Sequence, residues 1–183
     1  MELQLNRINS PLGEMLLVTD AQGTVWALAF TNHMVRFTRE LRERYGDIVL
    51  REAAPPDVVA RIAGKIEAYF KGDLNALKDI PVTSKGSDLE NRVWTALRKI
   101  VAGTTMTYGE LARSLGFTDP RMAKEIGAAI SANPIAIIVP CHRVIGKDGS
   151  LRGYAWGSQR KRYLLAHENA DLRQGQTAAL EGS

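Results

Sequence analysis

A single cysteine, Cys141, stands in a chain of 183 residues, inside the run Pro140-Cys141-His142-Arg143-Val144-Ile145-Gly146. One thiol can form no internal disulfide and no multi-thiolate metal site. It is either an inert buried group or a nucleophile, since thiolate is the reactive form and only some surroundings favour it. Its neighbours point to the nucleophile. Pro140 ends the apolar stretch Ile135-Ala136-Ile137-Ile138-Val139, and an inert core position has no need of the His142 and Arg143 that follow. A nucleophilic sulfur must be unprotonated, or lie near a base that takes its proton. His142 is the candidate base. Adjacent side chains seldom meet face to face, so a water between Cys141 and His142 is expected rather than direct contact. Asn133 precedes Pro134, which pushes its backbone toward extended geometry. Its amide can bridge backbone groups across the turn that presents Cys141. The three histidines, His33, His142 and His167, have no ligand spacing with one another or with Cys141, so no metal is expected.

These groups need a frame. Residues 3–30 read as strands, with Met15-Leu16-Leu17-Val18 and Val25 to Phe30 flanking the turn Asp20-Ala21-Gln22-Gly23. Residues 33–45 are helical in composition. Asp57 to Phe70 carries Val58, Ile62, Ile66 and Tyr69/Phe70 at helical spacing, stopped by Gly72 and preceded by the breaker Pro55-Pro56. Residues 1–80 therefore read as a small α/β scaffold with no catalytic constellation, and 71–86 as a linker. A second domain over 85–169 opens with the capping box Ser87-Asp88-Leu89-Glu90. Leu89, Val93, Trp94, Leu97 and Ile100 make that helix's apolar face, with Trp94 in the core, and Gly103 closes it. A second box, Thr107-Tyr108-Gly109-Glu110, opens a helix through Leu115. After the turn Gly116-Phe117-Thr118, Asp119 suits an N-cap and Pro120 the first position of a helix over 120–131. Two short helices around a glycine turn suggest helix-turn-helix. The second is rich in small residues, Ala123, Gly127, Ala128, Ala129, Ser131 and Ala132. That suits close approach to a sugar-phosphate backbone, or to another helix, better than base reading by long polar side chains. Residues 170–183 lack periodicity and read as a tail.

The composition is that of a soluble globule, 45% hydrophobic and 24% charged. No apolar run approaches the roughly 20 residues of a membrane helix, and Met1-Glu2-Leu3-Gln4 lacks the features of a secretory signal. An intracellular, cytoplasmic compartment is expected. The net charge of +4 is unevenly placed: residues 1–84 carry net −1 and residues 85–173 net +6. The basic excess lies on the half that carries Cys141, as expected of a polyanion binder.

The segment Asn133-Pro134 through Gly146 resembles the active-site signature of the O6-alkylguanine-DNA alkyltransferases. Gly153-Tyr154-Ala155-Trp156-Gly157 is similar to that family's pocket loop. Arg160-Lys161 and Leu164-Leu165-Ala166-His167-Glu168 are similar to its last helix, and Val93-Trp94-Ala96-Leu97 and Thr107-Tyr108-Gly109-Glu110-Leu111-Ala112 match upstream. The resemblance is close over 85–169 and loose over the first 80 residues. It implies a ribonuclease-H-like α/β domain followed by a mainly α, winged helix-turn-helix-like domain. The implied activity is irreversible transfer of an alkyl group from O6 of guanine in DNA to Cys141, one group per chain, with no cofactor. The implied partner is alkylated double-stranded DNA; a monomer is expected, at the nucleoid in a prokaryote. In this reading Glu168 holds His142 in the right tautomer, as a carboxylate does in triads, and Asn133 positions the cysteine. His167 is structural. Tyr108 crowds the target phosphate and donates to guanine N3, while Val144, Tyr154, Ala155 and Trp156 line a pocket for a flipped base. Arg121, Ala123, Lys124, Gly127 and Ala128 meet the DNA.

Two positions depart from the family. Lys124 stands where its members usually carry an arginine, thought to fill the gap left by the flipped base. Trp156 stands where many carry glycine. Lysine cannot stack as a planar guanidinium does, so weaker support for flipping is expected, with Arg121 one turn earlier as a possible substitute. The indole is expected to narrow the pocket. Three other readings remain open at this level: a non-catalytic lesion binder of the same fold, which Cys141 argues against; a Cys-His-Glu hydrolase unrelated to DNA; and a DNA-binding regulator with a merely buried thiol.

Overall fold

A computed structural model describes residues 2–52, 57–151 and 153–170. The Pro55-Pro56 breaker and all of the tail beyond Ala170 lie outside them. The chain divides into two compact units. One comprises the described residues up to Gly86 with Pro134–Ile138, the other Ser87–Asn133 with the described residues from Val139 onward.

The first unit is built on a four-stranded mixed sheet. The strands are β1 (Glu2–Ile8), β2 (Met15–Thr19), β3 (Val25–Phe30) and β4 (Val49–Glu52), in the order β3-β2-β1-β4. β1 and β3 run antiparallel to β2, and β4 runs parallel to β1. Every residue of β2 is buried, which requires cover on both faces of the sheet. The predicted turn forms. Asp20 Oδ1 accepts from Gln22 N and Thr24 N, and Gly23 takes φ +83°, a conformation glycine adopts without strain. Helix α1 (Met34–Tyr45) lays Phe37 and Leu41 against Leu3, Leu16, Val18 and Ala27. Helix α2 (Asp57–Phe70) buries Val59, Ile62, Ile66 and Tyr69; Val58, read as an inward position, is only half-buried.

Residues 71–86 are no free linker. Leu77 and Ile80 are buried, Val25 N donates to Pro81 O, Thr83 N donates to Val25 O, and Lys85 N donates to Tyr45 Oη. The backbone on the far side of β3 needed partners, and this stretch supplies them. Pro134–Ile138 belongs to the same unit. Leu28 N donates to Pro134 O and Ala136 N to Leu28 O, then the chain turns sharply at Ile137, a β-branched residue at φ +67°.

The second unit holds α3 (Asp88–Leu97), β5 (Met106–Thr107), α4 (Tyr108–Ser114), α5 (Met122–Ser131), β6 (Val144–Ile145) and α6 (Ser158–His167). Both predicted capping boxes are present, Ser87/Glu90 on α3 and Thr107/Glu110 on α4. Trp94 is core, its indole N–H donating to Ala129 O at 2.9 Å, which locks α3 to α5. Helix α5 starts two residues later than expected. Asp119 Oδ1 accepts from Arg121 N in a turn, and Arg121, not Asp119, precedes the first helical residue. The short β5 and β6 pair in parallel, Met106 with Val144 and Thr107 with Ile145. Among the described residues no helix is long and apolar enough to cross a membrane.

Candidate active site

Cys141, His142 and Arg143 form one turn of 3-10 helix between Pro140 and β6, and all three are buried. Cys141 N donates to Val139 O at 2.8 Å, and Asn133 Nδ2 donates to the same carbonyl at 3.0 Å. The buried Asn133 amide thus braces the turn that presents the sulfur. Burial pushes the Cys141 thiol up to about 11, against opposing pulls from the Asn133 hydrogen bond and the Lys161 charge. The resting sulfur keeps its proton at neutral pH. Of the two routes to a nucleophile, this favours a nearby base over a lowered pKa, because desolvation of the enclosed site outweighs its charges.

His142 is the candidate base. It is fully buried, and its Nε2 stands 2.9 Å from Glu168 Oε2. An imidazole that donates Nε2–H to a carboxylate carries its lone pair on Nδ1, and His142 Nδ1 has no hydrogen-bond partner among the described residues. Burial pulls the imidazole below its ordinary value, with Glu168 working the other way. It is neutral and able to accept a proton.

Glu168 is the C-cap of α6 and 2% exposed. Its oxygens accept from His142 and, at 2.9 Å each, from Arg143 Nε and Nη2. Burial pushes its carboxyl up, but those hydrogen bonds and charges outweigh it and hold it well below the usual carboxylate range. Arg143 Nη1 also donates to Ile100 O at 2.6 Å, just past the end of α3. Lys161 is buried too, its Nζ donating to Val144 O at 2.5 Å, and burial lowers its ammonium to about 8.

Tyr108 opens α4 as half-buried, and burial, then the neighbouring Cys141, raises its phenol, so it remains a donor. A Cβ placed on Gly153 would stand 3.0 Å from Tyr108 Oη, which puts the hydroxyl against the loop carrying Tyr154, Ala155 and Trp156. Val144, Tyr154 and Trp156 are buried and Ala155 half-buried; Tyr154 and Trp156 meet edge-on at 5.5 Å, and Tyr154 meets the His142 ring edge-on at 6.5 Å. Ala123, Lys124 and Ala128 are exposed on α5, with Gly127 half-buried beside them. These four positions share one helical face. Arg121 is exposed at the start of α5, its guanidinium on Asp119 at 2.8 Å. His167 lies apart, stacked on Tyr163 at 6.0 Å. Among the described residues no three His, Cys, Asp or Glu side chains are placed to hold a metal ion.

Residues 88–170 match the family model described as 6-O-methylguanine DNA methyltransferase, DNA binding domain. Over nearly the whole chain the likeness extends to curated proteins. A methylated-DNA–protein-cysteine methyltransferase of Shigella flexneri is 37% identical over 172 residues, covering 92% of this chain and 96% of the relative. That of Methanosarcina barkeri is 40% identical over 166 residues, covering 91% and 97%. The chain belongs to the methylated-DNA–protein-cysteine methyltransferase family. Solved structures agree in fold. A Mycobacterium tuberculosis O6-methylguanine methyltransferase superposes with a TM-score of 0.72 at 32% identity, covering 97% of this chain and 99% of that one. A complex of the M. tuberculosis protein with DNA gives 0.71 at 33%, covering 92% and 93%. The methyltransferase signature is thus carried on an α/β unit followed by a mainly helical one.

Within this methyltransferase site, sequence reasoning gave no role to Arg143 and Lys161, which are both buried with their charged groups hydrogen-bonded. A signal existed. Lys161, Leu164, Leu165 and Glu168 recur at the spacing of one helix face. Two leucines flanked by a lysine and a glutamate on an inward stripe mark both charges as buried, and buried charges need partners.

Proposed function

We propose that this protein repairs DNA by taking the alkyl group, foremost methyl, from O6 of guanine onto Cys141, irreversibly and once per chain. The observation that carries the reading is the buried series Cys141, His142, Glu168, in which His142 has Nε2 committed to the carboxylate and Nδ1 unengaged. The Cys141 proton passes to His142 Nδ1 through a water. The thiolate attacks the methyl carbon in line, the S–C bond forms, and the C–O6 bond breaks with its electron pair going to guanine. The guanine anion is stabilised by a hydrogen bond from Tyr108 to N3 and recovers the proton held on His142. A thioether offers no easy return, so the chain is spent, and every atom is accounted for without a cofactor.

The partner is alkylated double-stranded DNA, bound by a monomer. The small-residue face of α5, exposed Ala123 and Ala128 with half-buried Gly127 between them and Lys124 and Arg121 beside, suits close approach to the backbone, and the basic excess of residues 85–173 favours a polyanion. Val144, Tyr154, Ala155 and Trp156 line the pocket for the everted base, offsetting the few kcal/mol of unstacking. Residues 1–80 act as a ribonuclease-H-like scaffold, and 85–169 as a winged helix-turn-helix-like catalytic and DNA-binding domain. The substrate places the protein in the cytoplasm, at the nucleoid of a prokaryote.

Mass spectrometry after incubation with a duplex carrying O6-methylguanine tests this. A single +CH2 adduct on the Cys141 peptide is expected, with none in Cys141→Ser. Undiminished lesion removal by the serine variant would overturn the reading.

A further inference from the structure

We propose that Arg143 is a positioning residue of the transfer reaction: its guanidinium holds the Glu168 carboxylate against His142 and ties both to the end of α3. The inference rests on the relay from Cys141 to His142 described above and adds a member to it. Three observations carry it. Arg143 meets Glu168 with two parallel N–H donors, Nε to Oε1 and Nη2 to Oε2, each at 2.9 Å. That fork fixes both oxygens of the carboxylate, which a lysine cannot do. The oxygen that takes Nη2 is the one that faces His142 Nε2, so the orientation of the carboxylate and that of the imidazole are set together. The remaining arm, Nη1, reaches Ile100 O at 2.6 Å. One side chain therefore joins the cysteine's own turn, the C-cap of α6 and the segment that leaves α3.

The charge matters as well as the geometry. The groups around His142 are Glu168 and Lys161 from α6, Cys141 and Arg143 from its own turn, and the Tyr154 ring from the pocket loop. Glu168 favours the protonated imidazole, while Arg143 and Lys161 oppose it. Glu168 left with His142 alone would pull a proton onto the imidazole. With its charge balanced by Arg143, it orients the ring and leaves Nδ1 bare. Arg143 thus keeps the base ready at neutral pH in a site where its partner is an anion.

The test is the pH dependence of single-turnover methyl transfer from an O6-methylguanine duplex. It compares the wild type with Arg143→Met, Arg143→Lys and His142→Gln, each checked for folding by circular dichroism and Tm. In Arg143→Met the acidic limb of the profile is expected to move up by about one pH unit or more, because removal of a neighbouring cation favours the imidazolium. In Arg143→Lys the charge remains and the fork is lost. Its limb is expected to stay in place while the rate falls about tenfold across the range. A methionine variant that is slower at every pH with an unmoved limb has lost only packing, and overturns the proposal. A lysine variant at the wild-type rate overturns it too, and decides the matter if the methionine variant does not fold. His142→Gln at the wild-type rate would instead overturn the relay itself.

Discussion

Glu168→Gln keeps the shape of the side chain and removes its charge, which makes it a sharp test of the buried cluster. Glu168 is 2% exposed and accepts three hydrogen bonds of 2.9 Å. In the variant the Arg143 guanidinium stays buried without a counter-ion. Breaking a buried pair from one side costs about 3–5 kcal/mol. Here the Ile100 carbonyl still holds one arm of Arg143, so a loss of about 3 kcal/mol is expected in urea unfolding at pH 7. The second cost is kinetic. An amide at this position can turn its NH2 toward His142 Nε2 and drive the imidazole proton onto Nδ1, the atom that must be bare. Loss of tautomer control in a triad costs about 10⁴ in rate, and general-base assistance is worth about 10²–10⁴. A fall of about 10²–10⁴ in methyl transfer is therefore expected. The pH dependence supplies a further check. The Glu168 carboxyl is held below its ordinary value of 4.5. Its contribution is then fully present above that value and drains away as the pH falls below it, by at most about 1.4 kcal/mol per pH unit. The gap in unfolding free energy between wild type and variant should narrow by about 2 kcal/mol between pH 5 and about pH 3. A stability gap that is the same at pH 7 and pH 3, or a transfer rate within about threefold of wild type, would refute the reasoning.

Three further perturbations separate charge from shape. Lys161→Met should stabilise the protein by about 1–2 kcal/mol at neutral pH, because burial lowers the ammonium from 10.5 to about 8 and that penalty is fully present below pH 8, fading only toward pH 10.5. The same change should slow transfer about tenfold by raising the Cys141 thiol further, read from urea unfolding and the alkaline limb of the rate profile. Lys124→Arg should speed repair of methylguanine in duplex DNA severalfold, since a planar guanidinium can stack in the vacated gap and an ammonium cannot; an unchanged rate counts against this use of the exposed α5 face. Trp156→Gly should speed reaction with bulky O6-benzylguanine at least about tenfold while leaving the methyl substrate within about threefold, and equal wild-type rates for benzyl and methyl would show that the indole does not narrow the pocket.

What the sequence disclosed follows from where its information is local. The two capping boxes, the Asp20–Gly23 turn and helix α2 depend on residues within one or two turns, and all appear as read. Family membership was legible for the same reason, because the Cys141 signature and the Tyr154–Trp156 loop are short contiguous strings. What was not legible is whatever depends on enclosure. The segment 71–86 has the composition of a linker, yet β3 presents unpaired backbone that its residues pair with, a need no window around residue 80 reveals. His142 and Arg143 were read only as neighbours that mark Cys141 as a nucleophile, a reading by sequence distance. Folding spends both on Glu168, 25 residues or more away along the chain, and buries the sulfur away from bulk solvent. The charge that reaches it comes from Lys161, on α6. Burial that raises a thiol in this way favours its protonated, less reactive form. That suits a protein that can act only once, because a sulfur kept as thiol in the resting state is not consumed by stray electrophiles before it meets its lesion.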